Sequence, residues 1–246
     1  MSGLENYEDL VDLDNFDKIT ITDVSEVHCA VLGVLFNKNL ALVSKGLYAL
    51  LIFLDDIDRL KITNTSEYSS NGQTSISRAW KELKKFNIVS RKINRVDNTN
   101  IWTTELRIPP KELLNEHLLS KISKNSPLDE INSGEIESDK EIHEVVKKVI
   151  LSPRLSLQAK GLYAMLVFID DINKLSVTTT KDYVSDGQTA VNRPWYELDQ
   201  AKLVTRRMKR EVNESAVWST HLLSPNFDEL ANFCYDNDKK SMRKRK

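Results

Sequence analysis

The sequence is poor in the residues that redox, metal and dinucleotide chemistry draw on. Its 246 residues hold two cysteines, four histidines and seven glycines. Cys29 and Cys234 lie far apart, which excludes a disulfide framework and a CxxC redox or metal pair. So few glycines argue against a dinucleotide-binding loop. No apolar run approaches the ~20 residues of a membrane span. The opening MSGLENYEDLVDLDNFDK is acidic and lacks the basic and apolar regions of a secretory signal. The expectation is a cytoplasmic protein with no membrane partner, metal or cofactor.

What is present is an ordinary globular balance, 40% hydrophobic and 29% charged, long enough for one large or two small domains. A shift of 115 residues then superposes the chain on itself. Residues 45–93 begin KGLYALLIFLDDIDRLKITNT and residues 160–208 begin KGLYAMLVFIDDINKLSVTTT, with 24 of 49 aligned positions identical. The match reaches back to His28 and His143. After one inserted residue it runs forward through Trp102 and Trp218 to Pro109 and Pro225.

Charge marks the same boundaries. Lys and Arg against Asp and Glu give −7 for residues 1–30, +5 for 31–114, −5 for 115–144, +2 for 145–230 and +4 for 231–246. The expected organisation is an acidic segment (1–25), a first domain (26–114), an acidic solvated linker (115–140) that lets the domains adjust, a second domain (141–230) and a basic tail (231–246).

Within one copy, Ser44 to Ile57 is apolar almost all round, a helix at the centre of a small domain. TNTSEYSS supplies caps for a brief second helix and runs into the turn Asn71-Gly72. From Gln73 to Phe86, Ile76, Trp80 and Leu83 fall at i, i+4 and i+7, which predicts a third, amphipathic helix. Its polar face carries Thr74, Ser77, Arg78, Lys81 and Lys85. Copy two repeats the stripe as Val191, Trp195 and Leu198, leaving Thr189, Asn192, Arg193, Tyr196 and Gln200 outside. Pro194 replaces Ala79 and is expected to distort that helix. Residues 88–96 and 203–212 alternate, then a polar turn leads to a second extended run at Trp102 or Trp218: a basic β-hairpin. Three helices and a hairpin, twice over, make an α+β fold of two tandem winged helix-turn-helix domains from an internal duplication.

SKGLYALL with SNGQTSISRAWKELKKFNIVSR, and AKGLYAML with SDGQTAVNRPWYELDQAKLVTR, resemble the winged-helix domains of phage and plasmid replication proteins. The resemblance spans roughly 170 residues, both copies but neither the termini nor the linker. It implies a sequence-specific duplex-DNA-binding protein of a phage or plasmid, acting in replication initiation or transcription regulation, and not an enzyme.

In such a fold the start of the third helix enters the major groove and the hairpin lies along the backbone or the minor groove. The expected DNA-binding residues are Gln73, Thr74, Ser77, Arg78 and Lys81, and in copy two Gln188, Thr189, Asn192, Arg193 and Tyr196. Arg78 and Arg193 suit guanine, and Asn192 suits adenine. Arg91, Lys92, Arg95, Arg206, Arg207, Lys209 and Arg210 suit phosphates. Residues 72–95 hold seven basic residues and one acidic, residues 187–210 six and two, so the overall charge of −1 is no objection. The exchanges of Ser77 for Asn192 and Lys81 for Tyr196 suggest a pseudo-dimer within one chain, reading two unlike half-sites or direct repeats.

Other features read as structure. Trp80 and Trp195 belong to the core stripe, Tyr48 and Tyr163 to the apolar helix, Asp55-Asp56 and Asp170-Asp171 to its end, and His28 and His143 to buried or capping positions. The competing functional reading is a protein-interaction scaffold, such as an accessory subunit of a chromosome-organising or replication complex. The acidic N-terminal segment and linker favour it as sites for a protein partner.

Overall fold

The computed structural model describes residues 31–96, 99–107, 139–169, 171–209 and 217–236. The acidic segment at 1–25, nearly all of the linker, the tail from 237 onward, His28, Cys29, Arg210 and the side chain of Lys209 lie outside the described residues.

The architecture is mixed α+β, and the duplication appears as two runs of the same elements. The first has α1 (residues 31–35), α2 (Leu42–Phe53), 3-10 turns at Ile57–Arg59 and Thr65–Tyr68, α3 (Gln73–Lys85) and the antiparallel hairpin β1 (Val89–Val96) with β2 (Thr99–Leu106). The second has α4 (Asp139–Leu151), α5 (Leu157–Phe168), turns at Ile172–Lys174 and Thr180–Tyr183, α6 (Gln188–Gln200) and the hairpin β3 (Val204–Lys209) with β4 (Val217–Leu222), followed by α7 (Phe227–Ala231). Among the described residues no helix is long and apolar enough to cross a membrane.

Local expectations hold with specific corrections. The central helix begins before Ser44 and stops at Phe53, because Leu54 turns extended ahead of Asp56, which accepts from the Asp58 N–H. The brief second helix is a single 3-10 turn, too short to settle into α geometry. α4 begins inside the stretch read as linker; Val145, Val146, Val149 and Ile150 give it an apolar stripe, three of the four fully buried. His143 is exposed, neither buried nor capping, with its ring 5.2 Å from Phe53. α6 runs through Pro194 for the same thirteen residues as α3, since burial of Val191, Trp195 and Leu198 holds the helix where one backbone bond is missing. Asn87 and Lys202, at φ 55° and 56°, take the left-handed turn from α3 and α6 into the hairpins. Trp80 and Trp195 are buried and donate to Thr65 and Thr180 at 3.2 and 3.1 Å.

The two copies share one core, in which α2 packs against α5. The approach requires glycine. A Cβ on Gly46 would lie 1.7 Å from the Leu157 carbonyl oxygen, and one on Gly161 2.4 Å from that of Leu42.

Around this crossing three pairs of bonds from copy one to copy two recur with the roles exchanged. Lys45, fully buried, donates to the Tyr183 carbonyl, and Lys160 to the Tyr68 carbonyl. Asp186 accepts from the Leu42 N–H at 2.6 Å, and Asn71 accepts from the Leu157 N–H. Ser70 N–H donates to Leu155 and Ser185 N–H to Leu40, each at 3.1 Å. This exchange is the signature of a two-fold, isologous pairing within one chain.

Candidate nucleic-acid interface

α3 and α6 are each set by their own repeat, and the residues just ahead of each are tied to the other repeat. α3 buries Ile76, Ala79, Trp80 and Leu83, which leaves Thr74, Arg78, Lys81, Lys84 and Lys85 exposed and Ser77 half-buried. Glu82, on the edge between the two faces, accepts from the Ala41 N–H at 3.2 Å and from the Ser44 hydroxyl. It thereby caps α2, whose own N-cap, Ala41, has no side-chain acceptor. Glu197 does the same for α5, accepting from Ser156 N–H and hydroxyl at 2.6 and 2.7 Å. Burial raises its carboxyl above the usual range, opposed by these bonds.

Gln73 and Gln188 are committed to the fold: their amides donate to the Ile62 carbonyl, at 2.8 Å, and to the Val177 carbonyl. Gln188 also donates to Asn192 at 3.0 Å, so the half-buried Asn192 is engaged within its own helix. Thr189 is exposed and Tyr196 half-buried. Tyr196 lines a cleft of about 210 Å³ between α6 and the second hairpin, with Trp195, Asp199, Arg206 and Trp218. Arg193 is exposed, and its guanidinium lies 5.2 Å from the Tyr235 ring. Tyr235 belongs to a segment held along α6 by two bonds between Gln200 and Asp236, at 3.0 and 3.2 Å.

The strand alternation divides the wing basics. Ile93 pairs with Trp102, so Arg91, Ile93 and Arg95 share the hairpin face of Trp102, while Lys92 projects on the other, 3.7 Å from Glu105. Arg91 lies between two tryptophans, 5.6 Å from the Trp80 ring and 4.9 Å from Trp102; Arg206 repeats this at 5.6 Å from Trp195 and 5.0 Å from Trp218. Burial lowers the Arg91 guanidinium from its usual value, with Asp58 opposing. The Arg91 Nε and Nη2 atoms are buried without a hydrogen-bond partner among the described residues. These two arginines are thus bound into the junction of helix and hairpin, whereas Lys92, Arg95 and Arg207 are exposed. The hairpins are also pinned from below: Asp58 accepts from Thr104 N–H at 2.6 Å and Asn173 from Thr220 N–H at 2.9 Å.

Sequence reasoning missed the exposed apolar residues of the hairpins. Ile93, Ile101 and Trp102 are 51%, 47% and 40% exposed, and Met208 and Trp218 55% and 49%. The signal was available, since the basic alternation of each hairpin carries an apolar residue opposite its tryptophan.

A scan against protein-family models finds no match, and searches of curated proteins and of solved structures find none either.

Proposed function

We propose that this chain is a non-enzymatic, cytoplasmic protein that binds duplex DNA sequence-specifically through two winged helix-turn-helix repeats, in replication initiation or transcription regulation of a phage or plasmid. The observation that carries the reading is the exposed face of α3. Thr74, Arg78 and Lys81 stand there with Lys84 and Lys85, beside a hairpin that carries Arg95 on the face of Trp102. Arg78 has the donor geometry for a guanine edge, while Arg95, Lys92 and Arg207 suit phosphates. The place within replication or transcription rests on the resemblance of the two repeat motifs alone.

The test is binding of the purified chain to selected and random duplexes across salt. A steep fall of log K with log salt, and a selected sequence bound at least ~1,000-fold tighter than random DNA, is the expected result. A second reading, the protein scaffold, is favoured by the exposed apolar residues of both hairpins, which phosphate contact does not need. Absence of DNA binding at low salt would leave that reading.

A further inference from the structure

The two reading helices lie too close together to serve two half-sites. Glu82 of α3 and Asp186, two residues ahead of α6, take the consecutive N–H groups of Ala41 and Leu42. Glu197 of α6 and Asn71, two residues ahead of α3, take those of Ser156 and Leu157. The start of each helix therefore faces the later turns of the other, antiparallel and side by side. Even with all four side chains fully extended, these bonds hold the midpoints of residues 71–82 and 186–197 within about 18 Å. Successive major grooves on one face of B-DNA are ~34 Å apart. Half that step reaches the minor groove, ~6 Å wide, which admits no helix. A major groove of ~12 Å does not hold two helices of ~10 Å side by side either.

The helices are also unequal. α3 carries four basic residues and one acidic, α6 one basic and two acidic, with Asp199 where α3 has Lys84. On α6, Asn192 is bonded to Gln188, Tyr196 is half-buried, and Arg193 lies against Tyr235 of the segment held by Gln200. None of these constraints has a counterpart among the described residues around Thr74, Arg78 and Lys81.

We infer that this chain reads duplex DNA through α3 alone, as one contiguous site within a single major groove, and that the second repeat positions α3 and keeps its own α6 out of the groove. The inference rests on the DNA-binding reading above and narrows its target to a single uninterrupted element. It replaces the expectation of two half-sites or direct repeats.

Site selection from random duplexes with the full chain, followed by titration of the selected duplex, tests it. One uninterrupted motif is expected. Arg78→Ala should weaken binding about ten-fold or more, as loss of a bidentate base contact does. Arg193→Ala should stay within about two-fold, because α6 makes no base contact. Both side chains are exposed, so unchanged melting temperatures confirm folded variants. Lys81→Ala and Tyr196→Ala give a second pair with the same expected asymmetry. Two enriched elements about one turn apart, or equal losses from both repeats, would overturn the single-reader inference and leave DNA binding standing. No enrichment and no binding at low salt would overturn the DNA-binding reading, and the inference with it.

Discussion

α3 and α6 hold equivalent places in the two repeats and differ in what surrounds them. α3 keeps its polar face open to solvent, while α6, of equal length and with the same buried tryptophan, is flanked by a half-buried tyrosine and by the segment that carries Tyr235. Residues that hold the copies together are kept in both: Gly46 and Gly161, Lys45 and Lys160, Tyr68 and Tyr183, Ser70 and Ser185. Packing at the pseudo-two-fold constrains both copies equally, whereas polar-face positions such as Ser77 and Asn192, or Lys81 and Tyr196, have diverged.

The comparison breaks most sharply at the crossing. Gly46→Ala should cost more than about 3 kcal/mol, because its Cβ would meet backbone that has no room to move, and Gly161→Ala slightly less, following the longer contact. Urea melts measure both, and a loss under 1 kcal/mol for either would show that the crossing is looser than described.

Next come the carboxylates. Glu197 is buried and Glu82 half-buried, so Glu197→Ala should cost about 2–3 kcal/mol and Glu82→Ala about 1–2, each leaving N–H groups of a helix start unpaired. Equal losses would remove this difference between the repeats.

The buried lysines sharpen what the copies share. Burial lowers Lys45 and Lys160 from 10.5 to about 7, against the pull of Asp186 and Glu82 on the first and Glu197 on the second. Between pH 7 and the ordinary lysine range the unfolded chain binds more protons, so stability rises with pH there; below pH 7 both states are protonated and the lysines contribute no slope. Melting temperature should therefore climb from pH 7 to pH 9, and Lys45→Met should remove about half of that climb if the copies are equivalent. A flat profile in the parent protein would mean that the carbonyl bonds to Leu35, Tyr183 and Tyr68 keep both amines charged.

The smallest effect belongs to the exchange of Asn71 for Asp186. Asp186→Asn restores the residue found at Asn71 and keeps an acceptor for the Leu42 N–H, so stability should shift by less than about 1 kcal/mol. Burial and Glu82 both raise the Asp186 carboxyl, and the change relieves that strain. A large loss would show that the charge, not the hydrogen bond, matters there.

Much of the local structure was legible in the residues. Ile76, Trp80 and Leu83 announce α3, the alternation RKINR announces its hairpin, and the 115-residue period announces the second copy. The site was less so. Gln73 stands at the head of α3 yet is spent on the Ile62 carbonyl, and Arg91 looks in the sequence like an open hairpin cation yet lies between two tryptophans. Such commitments depend on which loop or strand lies opposite, and periodicity carries no record of that.

The sequence by itself determined the repeat, the amphipathic helices, the hairpins and the types of side chain on their faces, because each follows from local spacing. Only the tertiary structure decided that the copies share a core through two glycines, that each caps the other's central helix, and that α3 and α6 end up side by side. Those bonds join residues such as Lys45 and Tyr183, 138 positions apart. No local pattern specifies them; they arise when two nearly identical surfaces meet so that the buried Lys45 and Lys160 amines each find an acceptor in the other copy.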